Sequence, residues 1–256
     1  MRHTRSHLFP AGLAAAAFIA LAFSVANEAM LVGIDLTISD WVQSARSAAT
    51  DWMVVLVTLL GDATALTLIA ISVVLALLLR RAWAAAGLSA LAFISTPIIV
   101  KLIKTFIGRE RPTADLYSGV ESFSFPSGHM TNSTVIYGAL AIFAAHALKG
   151  VPQKLAVGGF VLLIALIGFS RVYLGAHWPS DVIGAVLLAS MMLFLVAWGF
   201  DQLPGEGRFA RSFALVMIVM AAIWGVYGFV TLEVALDMYA LDVTPQGTIE
   251  VEPVTP

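Results

Sequence analysis

Seven apolar stretches alternate with short polar segments along this chain, and most are close to the length of a membrane-spanning helix. Spanning a bilayer takes about 20 apolar residues, so the shorter stretches must include some of their flanking residues. The stretches are roughly Ala11–Val32, Ala63–Leu79, Ala82–Ile103, Met130–Leu148, Leu155–Phe169, Val182–Phe200 and Phe213–Leu232. This pattern predicts an all-α, polytopic transmembrane helical bundle.

Composition supports the same interpretation. The chain is 60% hydrophobic and 12% charged, whereas soluble domains are about 45–50% apolar and about 25% charged. The net charge of −2 gives no reason to expect a nucleic-acid partner. The absence of cysteine excludes disulfides, a thiolate nucleophile and a cysteine-ligated metal. The lipid bilayer is therefore the first partner that we expect.

The first apolar stretch has two interpretations. Arg2 and Arg5 precede it, and Ser24-Val25-Ala26 resembles a cleavage site, as in a signal peptide. The apolar run continues to Val32, however, which favours a spanning helix. Cleavage would leave the orientation of the following spans unchanged.

The segment between the first two spans is amphipathic. Asp35–Leu60 mixes Trp41 and Trp52 with acidic residues, which suits a helix lying in the membrane interface. Asp62, beside Gly61, is interpreted as an interfacial loop carboxylate.

Lysine and arginine placement predicts the orientation, because cytoplasmic loops are enriched in these residues. With the N-terminus inside, every inner loop has a pair of positive charges. The inner residues are Arg2, Arg5, Arg80, Arg81, Lys149, Lys154, Arg208 and Arg211, and the outer residues are Arg46, Lys101, Lys104, Arg109, Arg111 and Arg171. We expect a bacterial inner-membrane protein with a cytoplasmic N-terminus.

Three polar clusters lie at the ends of these spans, where charges are costly and usually functional. They are Lys104-x6-Arg111-Pro112, Pro126-Ser127-Gly128-His129 and Ser170-Arg171-x5-His177-x3-Asp181. Seventeen residues separate His129 from His146, and seventeen separate Lys154 from Arg171. Each distance is about 25 Å of helix, so the clusters are predicted to meet at the outer membrane face.

The first cluster supplies cations. Lys104 and Arg111 would share a helical face if the helix persists, although Gly108 and Pro112 are expected to end it near there. Both side chains suit phosphate oxygens. The simpler explanation is a pair of interfacial cations that reach lipid headgroups, and Lys101 and Arg109 are assigned to that explanation.

The second and third clusters add an anion-binding turn and a candidate nucleophile. Ser127 and Gly128 open a helix whose backbone N–H groups favour an anion; a plain helix cap is the alternative. Asp181 lies four residues after His177 and can hold one imidazole nitrogen while the other attacks. The alternative is an ordinary interfacial His–Asp pair. His3, His7 and His146 lie outside these clusters.

The three clusters, in this order and spacing, resemble the type 2 phosphatidic acid phosphatase (PAP2) superfamily, which includes vanadium haloperoxidases. The patterns K-x6-RP, PSGH and SR-x5-H-x3-D are complete within residues 104–181. The family core has six helices, so the seventh span is a departure. We accordingly divide the chain into a catalytic transmembrane domain (1–200), an extra span (201–233) and a polar tail (234–256).

The resemblance implies roles for the matching residues. His177 would be the nucleophile that forms a phosphohistidine, Asp181 would orient it, and His129 would protonate the leaving group. The phosphate-binding residues would be Lys104, Arg111, Ser127, Gly128 and Arg171. The family is typically independent of Mg²⁺, so neither a metal nor another cofactor is expected.

The leading hypothesis is a membrane-bound phosphatase that acts on a lipid phosphate or diphosphate at the outer face. Candidate substrates are undecaprenyl diphosphate, phosphatidic acid, phosphatidylglycerophosphate and lipid A phosphates. A lipid phosphotransferase is the second hypothesis, because a lipid or sugar hydroxyl could replace water. A non-catalytic lipid-binding or transport protein is the third, although the complete clusters argue against a decayed site.

Overall fold

The computed structural model describes residues 7–27, 31–112, 119–203 and 209–239. Within these ranges the chain forms nine α-helices and no extended strand. They are α1 (Leu8–Ala26), α2 (Leu31–Gln43), α3 (Ala48–Leu59), α4 (Ala63–Leu79), α5 (Trp83–Ile107), α6 (Gly128–Ala147), α7 (Val151–Tyr173), α8 (Pro179–Asp201) and α9 (Phe209–Met238).

Six helical segments are long and apolar enough to cross a membrane, which confirms the polytopic transmembrane bundle. They are Leu8–Ala26, Ala49–Leu79, Trp83–Ile107, Val151–Tyr173, Pro179–Asp201 and Phe213–Met238. The last of these is the predicted extra span. It continues to Met238, beyond the predicted boundary, whereas residues 240–256 of the tail lie outside the described residues.

The predicted fourth span forms α6, which is absent from that set because polar side chains fill its first turns. Most of α6 is buried, including Thr131, Ser133 and Thr134. It packs against α7, α8, α5 and α9. Since these neighbours shield α6 from lipid, it can carry hydroxyl groups that a lipid-facing helix would avoid.

The region before α4 differs from the prediction. The first apolar stretch is interrupted after Ala26, and the expected single helix over Asp35–Leu60 is two helices, α2 and α3. Ser47 caps the N-terminus of α3, since its side chain accepts a hydrogen bond from the Thr50 N–H. Because a new helix begins after Ser47, the segment Asp35–Leu60 forms two helices and not one.

The two ends of the bundle are chemically distinct. The three polar clusters lie at the end formed by the C-termini of α5 and α7 and the N-termini of α6 and α8. At the other end His7, at the start of α1, contacts Asp201 at 2.9 Å. The N-terminus of α1 and the polar clusters are therefore at opposite ends.

Candidate active site

The three clusters line one cavity of about 410 Å³ at this polar end. Six of the residues predicted for the site contribute to its wall, namely Lys104, Arg111, Gly128, His129, Arg171 and His177. Asp181 and Ser127 are fully buried behind that wall. The convergence predicted from the span lengths is present among the described residues.

Lys104 and Arg111 meet because the chain reverses after α5, and not because they share a helical face. Gly108 follows α5 in the left-handed conformation, with φ of 66°, where glycine is favoured. Beyond it Glu110 pairs with Phe123 in an isolated bridge. Arg111 then donates to the Ala176 carbonyl at 2.8 Å, which fixes its guanidinium at the cavity.

These two cations already share an anionic partner. The Glu121 carboxylate lies 3.2 Å from Lys104 Nζ and 3.8 Å from Arg111 Nη2, and its side chain is 70% exposed. Lys104 is buried. An exposed carboxylate on two recessed cations marks a position where another anion can bind.

His177 lies between Arg111 and Asp181. Its Nε2 is 3.0 Å from Arg111 Nη1, and its Nδ1 is 3.4 Å from Asp181 Oδ2, at the long end of a hydrogen bond. Arginine only donates, so Nε2 must carry a lone pair and the neutral ring carries its proton on Nδ1. Burial lowers the pKa of His177 well below 6.5, and the charges of Arg111, Arg171 and Lys104 lower it further.

Asp181 is held by two further donors. The Trp178 N–H donates to Oδ2 at 2.9 Å, and Arg109 Nη1 donates to Oδ1 at 2.7 Å. The assignment of Arg109 to a headgroup contact was wrong, because Arg109 also pairs with Asp35 at 2.6 Å. Asp35 is likewise buried within the protein.

The Pro-Ser-Gly-His segment begins α6 and presents backbone donors. Ser127 Oγ accepts from the Met130 N–H at 3.3 Å, and the Ser127 N–H donates to the Asp181 carbonyl at 3.2 Å. The N–H groups of Gly128 and His129 point from the first turn and have no acceptor among the described residues. Ser127 therefore caps the helix here, and its contact with phosphate stays a prediction.

The turn between α3 and α4 positions His129. The imidazole Nε2 donates to the Thr58 carbonyl at 2.8 Å. Gly61 lies directly against the ring, since a Cβ on Gly61 would be 2.5 Å from Nε2. The next residue, Asp62, caps α4 and accepts from the Tyr227 hydroxyl at 2.6 Å, so it is part of the cavity wall and more than a loop carboxylate.

Arg171 donates hydrogen bonds to residues in or next to two helices, α3 and α9, that contain none of the sequence motifs. Its Nη1 donates to Thr58 Oγ1 at 2.7 Å and to the Tyr239 hydroxyl at 3.1 Å. Tyr239 follows α9, so the extra span contributes to the wall of the site. The sequence contains no signal for this contact, because it depends on how α9 packs.

An apolar groove of about 590 Å³ lies between α4 and α5 beside the polar cavity. Ala63, Pro97 and Asn132 line both spaces. The rest of the groove is formed almost entirely by aliphatic and aromatic side chains. A molecule in the cavity can thus place an apolar chain along the bundle.

The family model described as PAP2 superfamily matches residues 85–204, which contain all three clusters. Phosphatidylglycerophosphatase B of Bacillus subtilis is 34% identical over 125 residues, which cover 48% of this chain and 61% of that relative's length. Decaprenylphosphoryl-5-phosphoribose phosphatase of Mycobacterium tuberculosis is 34% identical over 137 residues, covering 52% and 67% respectively.

A solved structure agrees with these matches. The crystal structure of a transmembrane PAP2-type phosphatidylglycerolphosphate phosphatase from Bacillus subtilis superposes with a TM-score of 0.64 at 29% identity. The superposition covers 76% of this chain and 96% of the Bacillus subtilis chain. This chain belongs to the PAP2 superfamily.

The matched PAP2 region does not include every residue at the site. Asp35, Gly61, Asp62 and Tyr239 all lie outside residues 85–204. Among the described residues, no three His, Asp or Glu side chains are grouped so that they could hold a metal ion. The cation-lined cavity of this PAP2 member is thus completed by the α3–α4 turn and α9, and α2 supplies Asp35, which lies outside the cavity wall and pairs with Arg109.

Proposed function

We propose that this PAP2 member is a metal-independent phosphatase that removes phosphate from a lipid phosphate or diphosphate through a phosphohistidine. The observation that carries the proposal is the junction of two spaces. A cavity lined by four cationic side chains, Lys101 among them, and by the neutral His177 imidazole meets an apolar groove on the side of the bundle. This combination suits a phosphorylated head attached to a lipid tail.

The phosphoryl group would be bound by Lys104, Arg111 and Arg171. Fixed cations and backbone N–H groups stabilise the charge of the transferring group without needing to reorganise. The N–H groups of Gly128 and His129, which have no acceptor in the part of the chain that the structure describes, add two such donors at a helix N-terminus. On binding, the phosphate would displace the Glu121 carboxylate from Lys104 and Arg111.

His177 would attack the phosphorus through Nε2. Arg111 would transfer its hydrogen bond from Nε2 to a phosphoryl oxygen, which frees the lone pair. A P–N bond forms while the P–O bond to the lipid breaks, and His129 in its protonated imidazolium form gives one ring proton to the leaving oxygen and becomes neutral. Asp181 keeps its contact with Nδ1–H and stabilises the positive charge of the phosphorylated ring.

Water would complete the cycle. His129, now without its transferred proton, takes a proton from a water molecule that attacks the phosphohistidine. The P–N bond breaks, phosphate leaves, and both histidines return to their starting states. These reaction steps need no metal, and a cavity lined by Lys104, Arg111 and Arg171 would repel a cation.

A lipid substrate is favoured by the groove and by the relatives' substrates. Undecaprenyl diphosphate is our first candidate, and phosphatidic acid, phosphatidylglycerophosphate and lipid A phosphates are the others. The relatives named above act on phosphatidylglycerophosphate and on a decaprenyl-linked phosphate, as their names state. Each of these molecules joins a phosphate to long apolar chains.

The site would face the outer side of the membrane. Arg80 and Arg81 connect α4 to α5, and Lys149 and Lys154 lie at the α6–α7 connection, so all four are at the end opposite the cavity. Short cytoplasmic loops are enriched in such residues. The N-terminus would then be cytoplasmic.

Phosphate release from undecaprenyl diphosphate and from phosphatidic acid, measured in detergent with EDTA present, tests this proposal. We expect release to continue under chelation, to be abolished in His177→Ala and to persist in His146→Ala, whose side chain is exposed at the opposite end. Full activity of His177→Ala would contradict the mechanism. Release that appears only with an added alcohol would indicate a phosphotransferase instead.

A further inference from the structure

Arg109 joins two buried carboxylates at the base of the site. Its Nη1 donates to Asp181 Oδ1 at 2.7 Å and to Ser180 Oγ at 2.7 Å, and its Nη2 donates to Asp35 Oδ2 at 2.6 Å. Asp181 is fully buried and Asp35 is 2% exposed. A planar guanidinium that binds two fixed acceptors on different nitrogens has little freedom to rotate.

Asp35 is anchored to the first turn of α8. Its Oδ1 accepts from the Ser180 N–H at 2.9 Å, and its Oδ2 accepts from the Ser180 hydroxyl as well as from Arg109. A buried carboxylate is costly unless it is paired and hydrogen-bonded, and Asp35 has both kinds of partner. All of these contacts point toward the segment that carries Asp181.

Asp181 depends on Arg109 for the orientation of its carboxylate. Oδ2 receives the Trp178 N–H at 2.9 Å and faces His177 Nδ1 at 3.4 Å, whereas Oδ1 is bound by Arg109. A rotation of the carboxylate about its Cβ–Cγ bond would move Oδ2 away from both partners, and the His177 contact is the weaker of the two because it is already long. Among the described residues, Arg109 is the hydrogen-bond donor that holds Oδ1 and so opposes such a rotation from the other side of the carboxylate.

We propose that Asp35 and Arg109 are positioning residues for the histidine step. Asp35 fixes Arg109, Arg109 fixes the Asp181 carboxylate, and Asp181 then holds His177 with Nε2 toward the phosphate. Neither Asp35 nor Arg109 lines the cavity that would receive the phosphate. The inference rests on the proposed role of His177 as nucleophile.

Asp35→Asn and Arg109→Gln should lower kcat while KM stays unchanged, since the phosphate-binding cations remain in place. A misplacement near 1 Å can cost about 10²-fold in rate, so we expect a decrease in kcat of about 10- to 100-fold. The double variant should be no slower than Arg109→Gln, because Asp35 acts only through Arg109. If Arg109→Gln fails to fold, Arg109→Lys keeps the charge but lacks the fork, and the same loss of kcat is expected.

Steady-state kinetics of the full-length protein in detergent test the proposal. Phosphatidic acid is the substrate, and the variants are compared at equal amounts of folded protein. Asp40→Asn, on the exposed face of α2, and Arg80→Gln, at the opposite end of the bundle, are the matched controls and should behave as wild type.

The outcomes separate the two levels of the proposal. Reduced kcat with constant KM in both single variants, and no further loss in the double, supports the positioning role. Normal kcat in Asp35→Asn, with His177→Ala inactive, overturns the positioning role and leaves the phosphatase mechanism standing. An active His177→Ala overturns both.

Discussion

Replacing Gly61 by alanine should displace the proposed general acid without touching any charged group. The new Cβ would lie 2.5 Å from His129 Nε2 and 2.6 Å from Ser133 Oγ. Ordinary contact begins at 3.4 Å, so the imidazole must move by roughly 0.9 Å. That movement also breaks the 2.8 Å bond from Nε2 to the Thr58 carbonyl.

The expected effect is large for one methyl group. A displacement of that size at a reacting group costs about 10²-fold in rate, or about 2.7 kcal/mol of transition-state stabilisation. The effect should be on kcat, because Lys104, Arg111 and Arg171, the proposed phosphate-binding residues, stay in place. Binding of a phosphate inhibitor should therefore be nearly unchanged.

Phosphate release from phosphatidic acid, with thermal unfolding measured in parallel, is the assay for Gly61→Ala. Gly87→Ala is the matched control, because nothing lies within 4 Å of the Cβ that it would add to α5. In a His129→Ala background, Gly61→Ala should cost little more. Wild-type kcat in a well-folded Gly61→Ala protein would refute the assigned position and role of His129.

Three further predictions concern the pH profile, the resident carboxylate and the groove. The pKa of His177 is lowered well below 6.5, so its ring stays neutral as the pH falls through that value. The acid limb of the kcat/KM profile should therefore lie below pH 6.5, and a limb at or above pH 6.5 would contradict the role of His177 as the neutral nucleophile. Glu121→Gln removes the anion that pairs with Lys104. Lys104 is buried, but the Glu121 carboxylate is 70% exposed, so we assign the pair the roughly 0.2–1 kcal/mol of a solvent-screened ion pair. The inhibition constant of phosphate should then fall by up to about fivefold, and an increase would argue against competition. Ala70→Trp should obstruct the groove and slow hydrolysis of phosphatidic acid but not of p-nitrophenyl phosphate. The control Ala84→Trp, on the exposed face of α5, should leave both hydrolysis rates unchanged. If Ala70→Trp lowered both rates equally, the groove would not be a site for the lipid tail.

The sequence alone predicted the parts of the site that follow from local pattern and span length. His129 and Arg171 are each one span away from the opposite end, so helix geometry brought them to one face before any contact was known. The end of α5 near Gly108 was also predictable, because glycine favours the left-handed conformation observed there. The way in which Lys104 and Arg111 meet was not predictable, because Arg111 lies after the turn that ends α5 and does not share a helical face with Lys104.

The remaining site residues depend on packing between distant segments. Asp35 looked like an interfacial acid because nothing near it in the sequence marks its partner, Arg109, 74 residues away. Tyr239 reaches Arg171 only because α9 packs against α3 and α4. Such contacts have no fixed spacing, and a buried salt bridge cannot be distinguished from a surface one by composition. These residues were therefore found only in the folded chain.

Trapping of the covalent enzyme intermediate is the sharpest test of the phosphohistidine mechanism. Phosphatidic acid labelled with ³²P in its phosphate would be mixed with the enzyme, quenched in alkali and analysed for protein-bound label. We expect label that is stable in alkali, labile in acid and located on His177, and no label in His177→Ala. Rapid phosphate release without any bound label, or label on another residue, would contradict the phosphohistidine mechanism.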